Sequence, residues 1–92
     1  MRYEWDSAKA ASNVMKHRVT FEDAVLALQD PERLEEINDV DYGEVRLRTW
    51  GLVISRVLLV VTTERTSDVC RIISARKATR DETKNYLLRS GA

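Results

Sequence analysis

Apolar residues recur at helical spacing near the start of the chain, at strand spacing through the middle, and at helical spacing again near the end. Asp6 is a good N-cap for a first helix, with Trp5, Ala8, Ala11 (or Ser12) and Met15 as its inward stripe. That helix ends around His17-Arg18. A second starts at the cap Thr20, with Asp23 three residues on and Val19 and Ala24 placed for a hydrophobic staple. Phe21, Ala24, Val25 and Leu28 form its apolar face, and Asp30-Pro31 stops it. Leu34 and Ile37 then fall in an acidic stretch that reads as a short edge strand, followed by a polar loop from Asn38 to Gly43. From Glu44 the pattern alternates, with Val45, Leu47 and Thr49 on one face and Arg46, Arg48 and Trp50 on the other. Val57 to Thr63 is a continuous, largely apolar run rich in β-branched residues, of the kind found in central strands. Val69 to Arg76 is a further strand, with Arg71 and Ile73 on one face and Cys70, Ile72 and Ser74 on the other. A last helix has the capping box Thr79/Glu82, and Tyr86 and Leu87 on its inner side. This order predicts an α+β fold: two N-terminal helices, an antiparallel sheet of three to four strands, and a C-terminal helix.

The chain has 92 residues, which makes one domain, residues 1–92. Its longest apolar run is far too short to cross a membrane. The N-terminus carries Arg2, Glu4 and Asp6 where a secretory leader would be apolar. The one cysteine, Cys70, alternates into a strand interior and reads as a small core residue. One Cys and one His do not build a zinc site, so no metal and no cofactor is expected, in a reducing cytoplasmic setting.

The formal net charge of zero hides a division. Residues 1–42 hold 5 Lys+Arg and 10 Asp+Glu; residues 43–92 hold the remaining 10 and 5. The second half therefore reads as a candidate polyanion surface, and the first as a candidate for another partner or for solubility. The basic residues gather at strand ends. Arg71 to Arg80 runs from a buried strand into a helix start, where phosphate is favoured. Thr63-Glu64-Arg65 ends the neighbouring strand, and Arg46, Arg48 and Arg71 extend the surface. Trp50 and Tyr42 are of a type that stacks on bases or packs in a core.

This set lacks the parts of a metal or serine hydrolase and suits metal-independent RNA cleavage. RNA carries its own nucleophile, the 2′-hydroxyl. The protein must move two protons and stabilise charge on the phosphate. Guanidinium groups do the second job because they are planar, bidentate and permanently charged. His17 is of the one residue type whose ordinary pKa, about 6.5, lies near neutrality. The structural alternative for His17 is to complement the helix dipole.

The same residues resemble the BrnT toxins of bacterial type II toxin–antitoxin systems over almost the whole length. The resemblance rests on Tyr3-Glu4-Trp5-Asp6, Lys9, Asn13, Lys16-His17 and Phe21-Glu22-Asp23-Ala24. It continues through Asp30-Pro31, Gly43-Glu44 with Arg46, Gly51, and Thr63-Glu64-Arg65. It ends with Arg71-Ile72-Ile73-Ser74-Ala75-Arg76-Lys77-Ala78-Thr79, then Glu82 and Tyr86. It implies a RelE-like ribonuclease fold, RNA cleavage without a metal, and arrest of translation and growth. The implied partner is a BrnA-type antitoxin with a ribbon-helix-helix part, in a 2:2 heterotetramer that binds operator DNA through the antitoxin and represses its own operon. Carried over by position, His17, Glu64, Arg65 and Arg76 are the catalytic expectations, and Lys16, Arg46, Arg71 and Lys77 the RNA-binding ones. A non-catalytic RNA- or protein-binding module of the same fold is the alternative. One departure stands out. Members often have Gly after the histidine, whereas here it is Arg18, for which a left-handed helix cap costs about 1 kcal/mol more.

Overall fold

A computed structural model describes residues 1–41 and 44–90, without the side chains of residues 38–41 and 65. Its elements run β1 (Arg2–Glu4), α1 (Ser7–His17), α2 (Phe21–Leu28), β2 (Leu34–Asp41), β3 (Glu44–Val53), β4 (Arg56–Thr66), β5 (Val69–Lys77) and α3 (Arg80–Ser90). The helix starts follow their caps. Asp6 accepts from the amides of Ala8 and Lys9, Thr20 from that of Asp23, and the Thr79/Glu82 box closes in both directions.

The sheet has five strands in the order β1-β5-β4-β3-β2, which corrects the expected three to four antiparallel strands. The fifth is β1, paired parallel to β5 through Tyr3↔Cys70, so the sheet is mixed. Three residues are too few to show a period, and the free edge of β5 is what makes them a strand. The acidic stretch after Pro31 is also longer than expected: β2 pairs with β3 from Leu34 to Asp41 and takes in most of the expected loop. Tyr42 and Gly43 lie outside the described residues.

Helices α1 and α2 cover one face of the sheet. Val19, Phe21, Ala24 and Ala27 are buried there against Val53, Leu58, Val60, Ile72 and Ala75. Trp5 meets Phe21 edge to face at 5.9 Å. The contact of α1 differs from the apolar stripe in the sequence: Met15 is 84% exposed, and the inward residues are Ala10 and Asn13. The Asn13 amide takes the place of a neighbouring strand. Its Nδ2 donates to the carbonyls of Ala75 (2.8 Å) and Val19 (2.9 Å), and its Oδ1 accepts from the Ala75 amide (3.1 Å). A buried sheet edge must find partners, so three hydrogen bonds outweigh one methionine in setting the rotation of the helix.

Helix α3 covers only one end of the opposite face. It does so through Tyr86, packed with Val57, Ala78, Leu34 and Trp50. The Tyr86 hydroxyl donates to Asp30, which also accepts from the amides of Leu52 and Glu32. Burial, followed by the Asp30 contact, pushes the Tyr86 phenol up to about 12. Leu87, expected inward, is half exposed because one aromatic residue suffices for so small a contact.

Two residues hold left-handed backbone without being glycine. Arg18 caps α1 at φ 57°, ψ 34°, its amide donating to the Val14 carbonyl. Ile54, 94% exposed at the tip of the β3–β4 hairpin, sits at φ 59°. Neither side chain is repaid by burial. Arg18→Gly and Ile54→Gly are each expected to stabilise the fold by about 1 kcal/mol, raising the melting temperature by roughly 4–8 °C. Thermal unfolding checks this; an unchanged or lowered midpoint would show that the side chains make compensating contacts.

Candidate active site

Alternation along the strands assigns each polar residue to a side of the sheet. The strand registers align Trp50, Leu59 and Arg76 in one row across β3, β4 and β5. The next row holds Glu36, Arg48, Val61 and Ser74, and a third holds Arg46, Thr63, Arg71 and Glu4. All three lie on the face away from α1 and α2, because the intervening residues Leu58, Val60, Ile72 and Ala75 fill the core beneath those helices. The result is a sheet face bearing Arg46, Arg48, Arg71 and Arg76, with α3 across one end.

Each of these arginines has a carboxylate. Arg46 stands 4.0 Å from Glu44, Arg48 2.5 Å from Glu36, and Arg71 2.6 Å from Glu4. Arg48 also lies over the Trp50 ring, its guanidinium carbon 5.2 Å from the centroid. The Nε atoms of Arg46 and Arg48 are buried and find no acceptor among the described residues. Arg76 is held most firmly. Its two Nη atoms grip Glu82 at 2.8 and 3.1 Å, and Nη1 also donates to the Lys77 carbonyl at 3.2 Å. Glu82 therefore does two jobs, since it also accepts from the Thr79 amide at the start of α3. The Arg76 guanidinium first, then the Thr79 amide, outweigh burial and hold the Glu82 carboxyl down at about 2.

That shift has a sign. A carboxyl depressed on folding contributes its full stability above its ordinary value of 4.5 and loses it as pH falls towards about 2. Denaturant unfolding at pH 6 and pH 3 is expected to show the loss, on the order of 1–2 kcal/mol for a partly exposed pair. Glu82→Gln should flatten that acid limb; a limb left unchanged would place the titration elsewhere.

Beside this face, at the C-terminal end of α1, Lys9, Ser12, Asn13, Lys16 and His17 meet Ile73 and Ser74 around a cleft of about 170 Å³. A bulge in β5 makes the junction. Val61 pairs with Ser74, but the next residue, Thr62, pairs with Ile72, so Ile73 is the extra residue. This corrects the simple alternation expected for β5. Ile72 and Ala75 share the helix side, and Ser74 belongs with Val61 and Arg76 on the open face. Through Ser74 the His17 cleft joins the arginine face.

The eight expected site residues thus divide. Arg46, Arg71 and Arg76 share the open face, and Lys16 and His17 adjoin it. Glu64 does not join them. It pairs with Cys70 and lines a separate cavity on the helix side, with Tyr3, Leu28, Leu47 and Thr62. Its carboxylate, after burial, helps to push the Cys70 thiol up. Lys77, exposed and paired with Leu58, is one residue out of phase with Arg76 and also lies on the helix side. Arg65 continues β4 beside Glu64, and its side chain is outside the described residues. Sequence reasoning gave Ser12 only an alternative place on the inward stripe of α1, Ser74 only a face of its strand and Asn13 only a place in a motif. The signal for the cleft was the run Lys9, Ser12/Asn13, Lys16, one helical face. The signal for Ser74 was absent, because a bulge leaves no trace in residue periodicity.

In three dimensions the chain is similar to the crystal structure of the ribonuclease toxin BrnT of Brucella abortus. The TM-score is 0.65 at 23% identity, covering 87% of this chain and 99% of that one. At that identity the likeness speaks for the fold. No curated protein sequence matches the chain. The family model described as "Ribonuclease toxin, BrnT, of type II toxin-antitoxin system" matches residues 5–82. That span runs from Trp5 to Glu82 and includes the His17 cleft and all four arginines of the open face, so the chain belongs to the BrnT family of ribonuclease toxins of type II toxin–antitoxin systems.

Proposed function

We propose that this toxin is a metal-independent endoribonuclease whose catalytic surface is the open sheet face together with the His17 cleft. The observation that supports this reading is the junction at Ser74, where a cleft holding a histidine and two lysines opens onto a face bearing four arginines. Arg76 holds the scissile phosphate and stabilises the charge that grows on its oxygens, while Arg65, six residues along β4 from Leu59, the strand partner of Arg76, contacts the RNA elsewhere. His17 transfers the proton beside Ser74. The 2′-hydroxyl loses its proton as its oxygen bonds to phosphorus, and the departing 5′-oxygen gains one. The products are a 2′,3′-cyclic phosphate and a 5′-hydroxyl. Lys16, Arg46 and Arg71 position the backbone. Glu64 and Lys77, across the sheet, take no step in this scheme.

Family membership supports the rest of the reading. Cleavage stops translation and growth, and a BrnA-type ribbon-helix-helix antitoxin neutralises the toxin in a 2:2 complex that represses its own operon. The carboxylate beside each of the four arginines of the open face favours a second reading, in which the face binds RNA without cutting it. Purified protein incubated with total RNA in the presence of a chelator separates the two. Cleavage to cyclic-phosphate ends is expected. Intact RNA with a salt-sensitive affinity would favour binding alone.

A further inference from the structure

Helix α1 is docked against the usual order. Its two largest apolar side chains, Val14 and Met15, are exposed, whereas Lys9, Ser12, Lys16 and His17 border β5 around the cleft of about 170 Å³. A helix docked by apolar burial alone would turn the other way. The hydrogen bonds of Asn13 fix this rotation, and they engage its amide with Val19 and Ala75 rather than with the cleft. Ser74, set on the open face by the bulge at Ile73, lines the cleft from the strand side. The side chains of Lys9, Ser12, Lys16, His17 and Ser74 have no hydrogen bond or ion pair among the described residues, and no carboxylate lines the cleft. Asp6, which feels the Lys9 charge, is occupied in capping α1 through the amides of Ala8 and Lys9. Each arginine of the open face, by contrast, stands beside a carboxylate.

Two ammoniums and two hydroxyls without a counter-ion suit an anion. A lysine is a point charge that takes a phosphate oxygen from any direction, while the planar fork that matches a carboxylate belongs to arginine. The cleft also has a neighbour that dictates its ligand. Ser74 and Arg76 stand two residues apart on β5, about 7 Å, the length of roughly one nucleotide of extended backbone. We propose that the cleft is a second phosphate subsite, in which Lys9 and Lys16, with the hydroxyls of Ser12 and Ser74, hold an RNA phosphate neighbouring the one at Arg76. The subsite fixes which stretch of backbone lies along β5 and adds affinity. Lys9 and Ser12 bind there without taking part in proton transfer. The inference rests on the reading of the open face as an RNA surface and deepens it by naming residues that bind but do not react.

The probe is a mixed-sequence 2′-O-methyl RNA hexanucleotide, which carries the phosphates but lacks the nucleophile. Titrated into 15N-labelled protein, it is expected to shift the amides of Ser12, Lys16, Ile73 and Ser74 saturably, together with those of Arg46 and Arg71. Lys9→Gln and Ser12→Ala change exposed positions of α1 outside the proposed catalytic set. Lys9→Gln should weaken the probe roughly two- to fivefold at low salt. It should also lower the slope of log affinity against log salt by about 0.7, the share of one phosphate contact on a single strand. Ser12→Ala should weaken binding by a smaller factor and leave the slope unchanged, since no charge is lost. On a cleavable hexanucleotide both variants should raise KM and leave kcat unchanged. Shifts confined to the open face, or unchanged affinity and slope in Lys9→Gln, would overturn the subsite and leave the RNA surface standing. Shifts on both surfaces, with total RNA left intact, would uphold the subsite and overturn the catalytic reading instead. No shift on either surface would overturn both. A capped Ala-Glu-Ala peptide that shifts the cleft amides where the hexanucleotide does not would assign the cleft to an acidic protein segment and overturn the proposal.

Discussion

Replacing Gly51 with alanine is expected to destabilise the protein by about 3–5 kcal/mol, at the upper end of what single substitutions do. Gly51 is buried on β3 directly beneath α2. A Cβ there would stand 2.1 Å from the Ala27 carbonyl oxygen, 2.7 Å from its carbon and 2.9 Å from the Ala27 Cα. All three are backbone atoms, so no rotamer change relieves the overlap. Helix α2 would have to lift from the sheet, and with it Ala24 and Ala27 from Val53 and Leu58, opening the packed layer. Against a typical total of 5–15 kcal/mol, that loss takes a large share of the fold's stability. Urea unfolding followed by circular dichroism measures it. Ala27→Gly should not rescue the variant, since the obstructing atoms remain. A change below about 1 kcal/mol would mean that α2 sits further from β3 than described.

The largest expected effect on activity is at Arg76. If its guanidinium stabilises the transition state, Arg76→Ala should lower the cleavage rate by about 10²–10³-fold. Three hydrogen bonds, two to Glu82 and one to the Lys77 carbonyl, fix the group and leave two of its N–H donors for a phosphate. Arg76→Lys should restore little, because a point charge cannot keep the grip on Glu82 and also face the phosphate with a planar pair of donors. Glu82→Gln loosens the guanidinium without removing it and should fall between the wild type and Arg76→Ala. The stability cost of Arg76→Ala is smaller, about 1 kcal/mol, since Glu82 keeps its bond to the Thr79 amide and is partly solvated. Loss of growth inhibition in cells, with a folded and soluble variant in hand, is therefore readable as chemistry. A folded Arg76→Ala protein that cleaves RNA at the full rate would remove Arg76 from the mechanism.

Local chemistry wrote much of this molecule plainly. The caps at Asp6, Thr20 and Thr79 act through groups two or three residues away, so sequence spacing alone locates them. The faces of β3 were legible because Arg46, Arg48 and Trp50 alternate strictly with the residues beneath α2. Arg46 and Arg48 were legible together for that reason, but Arg71 and Arg76, an odd number of residues apart, share that face only through the bulge at Ile73. Periodicity misled at α1, where a polar residue, Asn13, faces inward and Met15 faces water. It was silent on β1, which owes its pairing to an edge distant in sequence.

The site shows the same boundary. The residue types for phosphate chemistry, the family that uses them, and the strand-to-helix junction at Arg76 are all properties of the chain read in order. Which of those residues meet is not. One bulge at Ile73 puts Ser74, which lines the His17 cleft, on the same sheet face as Arg76. The same two-residue alternation sends Glu64 to the other side of the sheet, into a cavity of its own. Side-chain direction in a strand depends on pairing with strands that the local sequence does not contain, and a shift of one residue reverses it. The sequence by itself determined the elements, their caps and the chemical inventory. Only the tertiary structure decided that Ser74 of the open face also lines the His17 cleft, and that Glu64 lies on the other side of the sheet.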